Sequence, residues 1–213
     1  MGPLPGNPTT DFTAPVTLRL ATINGIAAGL REIGATWDPQ PFALDNPPQT
    51  NGLYAWATND GAIIYLGIGV RATGDGLAKR ISFEDGAATA EYIHGHRLAI
   101  TRLTKQGVRV RPYAGDVEVK EEFNGAWIRE ADWGDENKEH ALWVAADIKA
   151  NPYKQAEKFA IRLSMHLGDI GSPVNSQHKS AWAFGKSSAV GFSDTAAEMV
   201  AARLAGKLRP DVP

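Results

Sequence analysis

The sequence predicts an α+β domain, because it combines a β-hairpin pattern with helical patterns before and after it. Two apolar runs flank residues 59–61 (Asn-Asp-Gly), a turn signal that is typical of a β-hairpin. Apolar residues at intervals of three and four predict helices over residues 20–33 and 152–167. A further helix is predicted near the carboxyl end, from about residue 193 to residue 208.

The composition is that of an ordinary globular protein of one domain. The 213 residues include 22 Lys and Arg and 24 Asp and Glu, which gives a net charge of -2. The absence of cysteine excludes disulfides, thiolate metal sites and a cysteine nucleophile, and it fits a reducing cytoplasm. No apolar run reaches membrane-spanning length and no export signal is visible, so we expect a cytoplasmic protein without a membrane partner.

The first elements of the chain lead up to the hairpin. Residues 1–14 are rich in Pro, Gly and Thr and are predicted to form a loose arm. A helix follows and ends at Gly34, with an apolar stripe formed by Leu20, Ile23, Ile26, Leu30 and Ile33. Residues 36–51 contain four prolines and are predicted to connect this helix to the hairpin.

Two tyrosines of the hairpin are predicted to share one face of the sheet. Gly52-Leu53-Tyr54 and Tyr65-Leu66-Gly67 are separated by ten residues. A two-residue loop at 59–60 places Tyr54 opposite Tyr65, whereas a loop centred on 60–61 places Tyr54 opposite Gly67. Because residues 65 and 67 share a face, the two phenols point the same way in either register. Packing alone does not require such a pair, so the tyrosines are candidate site residues.

The segment after the hairpin is predicted to be loop, helix and short strands. Residues 68–76 form a glycine-containing loop, and Asp75 is placed to cap a short helix that carries Arg80. Residues 87–105 match a helix that a glycine interrupts, and residues 108–135 match short strands and turns.

The next elements are predicted to be a strand over residues 141–148 and a helix that Pro152 opens. Asn151 is the expected N-cap of this helix, which ends at Gly168. Its apolar stripe consists of Ala156, Phe159, Ala160, Leu163 and Leu167. Glu157 lies about a quarter-turn from that stripe, so we expect its carboxylate at the edge of the buried face.

Positive charge is concentrated in one segment, although the net charge of the chain is negative. Residues 92–115 contain no Asp or Glu, and their cations are Arg97, Arg102, Lys105, Arg109 and Arg111. These side chains are candidates for contact with an anionic partner such as nucleic acid, as is Lys179 nearer the carboxyl end.

The tyrosine tripeptides and the residues that follow them resemble the GIY-YIG nucleases. The resemblance covers residues 50–178, which it implies are a catalytic domain with an insertion around 108–138. Residues 1–49 are then an amino-terminal arm and helix, and residues 179–213 are a carboxyl-terminal extension with a helix. The implied fold is a small central sheet of about three strands, mixed or antiparallel, with flanking helices.

The resemblance implies a role for each matching residue in cleaving a phosphodiester. Tyr54 matches the tyrosine near the attacking water, with Tyr65 as its partner on water or phosphate. Arg80 matches the arginine that binds the phosphate, and a guanidinium can bind two phosphate oxygens at once. Glu157 matches the ligand of a divalent metal, for which Mg²⁺ (or Mn²⁺) is expected because it binds through a single carboxylate and retains waters.

Several assignments keep alternatives open at the level of sequence. His94 matches a proton-relaying histidine of some members, and His96 competes with it. Asn175 matches an asparagine that orients the site by hydrogen bonding. Lys79 and Arg71 compete with Arg80, and Glu139 is the second choice as metal ligand.

The sequence therefore predicts a metal-dependent endonuclease that hydrolyses DNA, of restriction type since no appended module is visible. Cleavage of both strands with one site per chain favours a homodimer. Two alternatives remain: the same scaffold binding nucleic acid without cleaving it, and an unrelated α+β domain that binds a small ligand or a protein.

Overall fold

The described part of the chain combines seven helices with six short strands, as expected for an α+β protein. The computed structural model describes residues 21–86, 95–168 and 188–207, without the side chains of 83–86, 95–99, 188–191 and 207. The helices are α1 (Ile23–Glu32), α2 (Gly76–Gly86), α3 (Gly95–Lys105), α4 (Ala126–Glu130), α5 (Asp135–Ala150), α6 (Pro152–Leu167) and α7 (Ser188–Lys207). The strands are β1 (Ala35–Trp37), β2 (Gln40–Pro41), β3 (Gly52–Thr58), β4 (Ile63–Gly69), β5 (Val110–Gly115) and β6 (Val117–Val119).

The main sheet is antiparallel, and the predicted hairpin forms half of it. Its strand order is β2-β5-β3-β4, so β3 is flanked on both sides and β4 is an edge strand. Tyr54 pairs with Gly67 on β4 and with Ala114 on β5. The register is therefore that of the loop centred on 60–61, and Gly61 adopts the positive φ of 82° that such a turn requires.

The two faces of the main sheet pack against different helices. Alternate residues of β3 point to opposite sides, as strand geometry requires. Leu53, Ala55 and Ala57 lie in the larger core with α1, α6 and α7. Tyr54 and Trp56 lie on the other face, in a smaller cluster with apolar side chains of α2 and α3.

Helix α1 confirms the first helical prediction. Its N-cap is Thr22, whose side-chain oxygen accepts a hydrogen bond from the Gly25 N–H at 3.1 Å. Ile26 and Leu30 of the predicted stripe are completely buried. The helix packs against α6 and α7, so the amino-terminal part of the described chain shares a core with its carboxyl-terminal helix.

The predicted strand over residues 141–148 is wrong, because these residues belong to helix α5. Ala141, Val144, Ala145 and Ile148 are its buried side chains, at the spacing of one helical face. The helix begins after Gly134, whose φ of 74° turns the chain, and Asp135 and Glu136 lie in its first turn. The predicted helix that follows is confirmed as α6, with Pro152 in its first turn.

Short strands were predicted within residues 108–138, and the structure has two there, β5 in the main sheet and β6 after it. Strand β5 pairs with β3 from Leu53 to Thr58. Strand β6 continues into a second, two-stranded sheet with β1. The main sheet thus has four strands rather than about three, and the shortest, β2, has two residues.

None of the helices in the described part of the chain has both the length and the apolar character needed to span a membrane.

Candidate active site

The Tyr54 ring lies across the backbone of the edge strand β4. A Cβ atom placed on Gly67 would lie 2.6 Å from ring and hydroxyl atoms of Tyr54, so only glycine leaves room for the phenol. The ring centroids of Tyr54 and Tyr65 are 6.0 Å apart and tilted by 45°. Tyr54 is completely buried, whereas Tyr65 is half-buried. The two phenols are therefore neighbours, but solvent reaches only Tyr65.

Arg80 reaches the same point from helix α2. The start of α2 packs directly on the end of β4, where a Cβ on Gly69 would lie 2.5 Å from the backbone of Gly76. This close approach brings the helix beside the hairpin. The Nε of half-buried Arg80 lies 3.5 Å from the Tyr54 hydroxyl oxygen, to which it donates a long hydrogen bond.

Asn51 holds the loop between β4 and α2 in one conformation. Its side-chain oxygen accepts hydrogen bonds from the N–H groups of Arg71 at 2.9 Å and Gly76 at 3.2 Å. Its side-chain amide donates to the Arg71 carbonyl at 3.0 Å. A single residue at the start of β3 thus fixes both ends of the loop that leads to Arg80.

Glu157 approaches the edge strand from the opposite side, on helix α6. Its carboxylate accepts a hydrogen bond from the backbone N–H of Ile68 and is close enough to Arg80 to interact with its charge. Burial raises the pKa of Glu157 to about 7, although Arg80, the Ile68 N–H, Lys154 and Lys158 each favour the ionised form. Glu157 is therefore a carboxylate whose protonation changes near neutral pH.

Four sequence-predicted residues thus meet at one edge of the sheet: Tyr54, Tyr65, Arg80 and Glu157. They combine a cation that can bind a phosphate, two phenols and one half-buried carboxylate. A carboxylic group with a raised pKa beside a specific cationic partner is typical of a functional site.

The donor set at Glu157 fits a hard cation that needs few protein ligands. A carboxylate has two oxygens, so it can accept from Ile68 and bind a metal at once. Within the described ranges, no three His, Cys, Asp or Glu side chains cluster as a metal site. One carboxylate with retained waters is compatible with Mg²⁺ or Mn²⁺ and unlike the closed ligand sets of structural zinc.

The other predicted residues are either outside the described structure or exposed side chains of α3, β5 and the turn between them. His94, Asn175 and Lys179 lie outside the described residues, as does the side chain of Arg97. The other four predicted nucleic-acid contacts are exposed side chains: Arg102 and Lys105 on α3, Arg109 before β5, and Arg111 on β5.

The structure also places three of the residues that competed with Arg80 and Glu157 at the level of sequence. Arg71 and Lys79 are exposed and lie close enough to Asp75 to help lower the pKa of its carboxyl, after the hydrogen bond from Thr73. Glu139 is an exposed residue of α5, which packs on α4, α6 and α7. The side chain of His96 is outside the description.

Sequence reasoning missed the residues that support the cluster rather than form it. Asn51 acts through backbone groups twenty or more positions away, and no local pattern marks such a contact. Lys154 and Lys158 belong to the predicted helix that carries Glu157, but they lie outside the basic segment 92–115, where the nucleic-acid contacts were predicted.

Comparisons of the chain with protein-family models, with curated proteins and with solved structures found no match. The resemblance to the nucleases is therefore carried by the motif residues alone, and the activity it implies is a proposal.

Proposed function

We propose that this protein is a metal-dependent endonuclease that hydrolyses phosphodiester bonds of DNA at the Tyr54–Arg80–Glu157 cluster. The observation that supports the proposal is the convergence of these side chains, from three separate elements, on the edge of β4. Sequence order alone does not require Glu157, 77 residues after Arg80, to lie within reach of its charge.

Arg80 is assigned to the scissile phosphate. Its guanidinium keeps its charge at any working pH and can donate to two phosphate oxygens. The hydrogen bond to Tyr54 restricts the orientation of the guanidinium, which reduces the entropy that binding must overcome. Charge that builds on the phosphate oxygens in the transition state is then stabilised by a cation already in position.

The two tyrosines have different roles in this proposal. Tyr54 is completely buried, so it is a positioning residue that acts through Arg80. Tyr65 is the phenol that solvent reaches, so it is the one assigned to hydrogen-bond the attacking water. The resemblance placed Tyr54 near the attacking water, so this proposal changes the role of Tyr54 and keeps Tyr65 on the water.

The hydrolysis adds one water across a P–O bond of the backbone. The water oxygen bonds to phosphorus, the bond to the departing sugar oxygen breaks, and that oxygen ends with a proton while the other water proton leaves to solvent. Glu157 would hold the Mg²⁺, which supplies Lewis-acid stabilisation of the negative charge. The chain itself positions the phosphate through Arg80 and the water through Tyr65.

Plasmid cleavage tests the proposal directly. Purified protein is incubated with supercoiled plasmid in Mg²⁺, with an EDTA arm, and with Arg80→Ala and Glu157→Ala in parallel. We expect EDTA to abolish cleavage and each substitution to lower the rate by about 10²-fold or more. Lys79→Ala and Glu139→Ala are matched controls, exposed residues of the same charge type, and are expected to retain the activity.

Binding without cleavage is the second candidate function, favoured by the complete burial of Tyr54. Retention of the plasmid in a gel-shift assay, with no nicking in Mg²⁺ or Mn²⁺, would establish this alternative over the nuclease. Cleavage that survives Glu157→Ala would instead move the metal ligand to another carboxylate.

A further inference from the structure

Two lysines flank Glu157 on helix α6. Lys154 precedes it by three residues and Lys158 follows it by one, so all three lie on adjacent positions of one helical face. Lys154 is exposed and Lys158 is half-buried. Each ammonium group ends a flexible four-carbon stem, so two lysines one helical turn apart can contact two phosphates of one DNA strand.

The charge of the lysines is directed at the site. Neither ammonium group forms a salt bridge with a residue that the structure describes. Both lie close enough to Glu157 for their charge to favour its ionised form. Together with Arg80 they are three cations whose charge reaches the Glu157 carboxylate.

The basic residues singled out in the sequence are placed less favourably. Ile68, which binds Glu157, pairs with Leu53, whereas Arg111 pairs with Ala57. Four strand residues separate these two levels by about 13 Å.

We propose that Lys154 and Lys158 bind backbone phosphates of the DNA strand whose scissile phosphate is held by Arg80. The inference rests on the proposed function and specifies its substrate contact: the strand passes the first two turns of α6, where Lys154 is exposed. These contacts are sequence-independent, because they read the phosphate charge and not the bases.

Salt-dependent DNA binding tests this assignment without cleavage. A fluorescein-labelled duplex of about 20 base pairs is titrated in EDTA by fluorescence anisotropy, over a series of salt concentrations. We expect Lys154→Ala/Lys158→Ala to reduce the slope of log K against log salt by about 2, since each phosphate contact contributes about 0.9. Lys154→Arg/Lys158→Arg is expected to retain the wild-type slope.

Charge-matched variants separate this surface from the others. Arg102→Ala/Lys105→Ala removes two cations from α3, and Lys149→Ala removes an exposed cation from α5. A slope that is unchanged in the α6 pair but reduced in the α3 pair would overturn the inference and leave the nuclease proposal intact. Absence of DNA binding by the wild-type protein would overturn both. Lys154→Gln/Lys158→Gln repeats the charge loss if the alanine pair fails to fold.

Discussion

Gly67 is the residue whose substitution most directly tests the geometry at Tyr54. A Cβ on Gly67 would collide with the phenol at 2.6 Å, so Gly67→Ala must displace the ring and break its contact with Arg80. We expect cleavage to fall by about 10²-fold, as for a misplaced catalytic group. Unfolding by urea should show a stability loss of about 1–3 kcal/mol from overpacking.

Gly206→Ala is the matched control, because no atom lies within 4 Å of a Cβ at that position of α7. It should leave cleavage unchanged and, as Gly to Ala within a helix, stabilise by up to about 1 kcal/mol. Equal activity of Gly67→Ala and the wild type would show that the position of the Tyr54 ring has no bearing on catalysis.

The raised pKa of Glu157 predicts a stability that depends on pH. With a pKa of about 7 in the folded protein and 4.5 as its ordinary value, Glu157 retains a proton on folding that the unfolded chain has released. Stability therefore falls as pH rises from 4.5 to 7, by about 3 kcal/mol in total. Glu157→Gln removes the titrating carboxyl and with it this loss of stability. The free energy of unfolding of the variant, relative to that of the wild type, should therefore be higher at pH 8 than at pH 4 by about 3 kcal/mol.

The measurement is urea unfolding in EDTA at a series of pH values. Glu139→Gln, an exposed carboxyl of α5, is the control and should track the wild type. A Glu157→Gln variant whose advantage is the same at pH 4 and pH 8 would show that the carboxyl is not buried as described.

At the scale of residues, the sequence predicts which side chains share a sheet face, because side chains alternate between the two faces along a strand. The shared face of Tyr54 and Tyr65 follows from strand geometry in either register. The space over Gly67 and the Asn51 hydrogen bonds depend on which segments approach in three dimensions. Such through-space contacts leave no periodic signal, so they could not be predicted.

At the scale of elements, a polar cluster joins α6 to α7. Asp194 of α7 accepts a hydrogen bond from His166 at 3.1 Å and lies 3.5 Å from Nη1 of Arg162, both on α6. The Arg162 side chain is buried, and its Nε and Nη2 have no hydrogen-bond partner among the described residues. We expect Asp194→Asn to destabilise the fold by about 2 kcal/mol, less than for a fully buried pair because Asp194 is 45% exposed.

The same contact has a defined pH dependence. The hydrogen bond from His166, with the charges of His166 and Arg162, lowers the pKa of Asp194 below 3.8. The ionised Asp194 carboxylate therefore stabilises the fold at neutral pH, and this stabilisation is lost as pH falls through the lowered pKa. Thermal unfolding of Asp194→Asn should approach that of the wild type as pH falls progressively below 3.8. Glu198→Gln, an exposed change on α7, should match the wild type throughout.

Helix α6 and the hairpin, each marked by two independent signals, were predicted well, whereas helix α5 was not. Helix α6 combined an apolar stripe with Pro152 at its start, and the hairpin combined alternation with a turn. Helix α5 was mistaken for a strand because its apolar and aromatic residues cluster between 141 and 148. Its buried side chains nevertheless follow the helical interval, and its start at Gly134 lies seven residues before that run.

At the scale of the whole molecule, α1, the sheet and α5–α7 share one core. Ala197 of α7 is completely buried in it, so Ala197→Glu would bury a charge without a partner. We expect a loss of more than about 4 kcal/mol. The near-UV signal of the hairpin aromatics should disappear in the same thermal transition as the helical signal, because the elements unfold together.

Ala202→Glu is the control on the exposed side of the same helix, and its stability should stay within about 0.5 kcal/mol of the wild type. Helical signal lost at a temperature where the hairpin signal persists would mean that α7 folds separately. The sequence could predict α7 from its pattern. It could not predict that α7 packs on α1 at the other end of the chain, because pairing between distant helices is decided by shape.

The Tyr54 ring over Gly67 has a consequence for how such sequences can diverge. A side chain added at position 67 requires a smaller residue at position 54, since the two compete for one volume. Any homologue that keeps this hairpin register should therefore show opposite changes in residue size at the two positions. The two tripeptides, although ten residues apart, would then change together in evolution, because a substitution in one is tolerated only with a compensating substitution in the other.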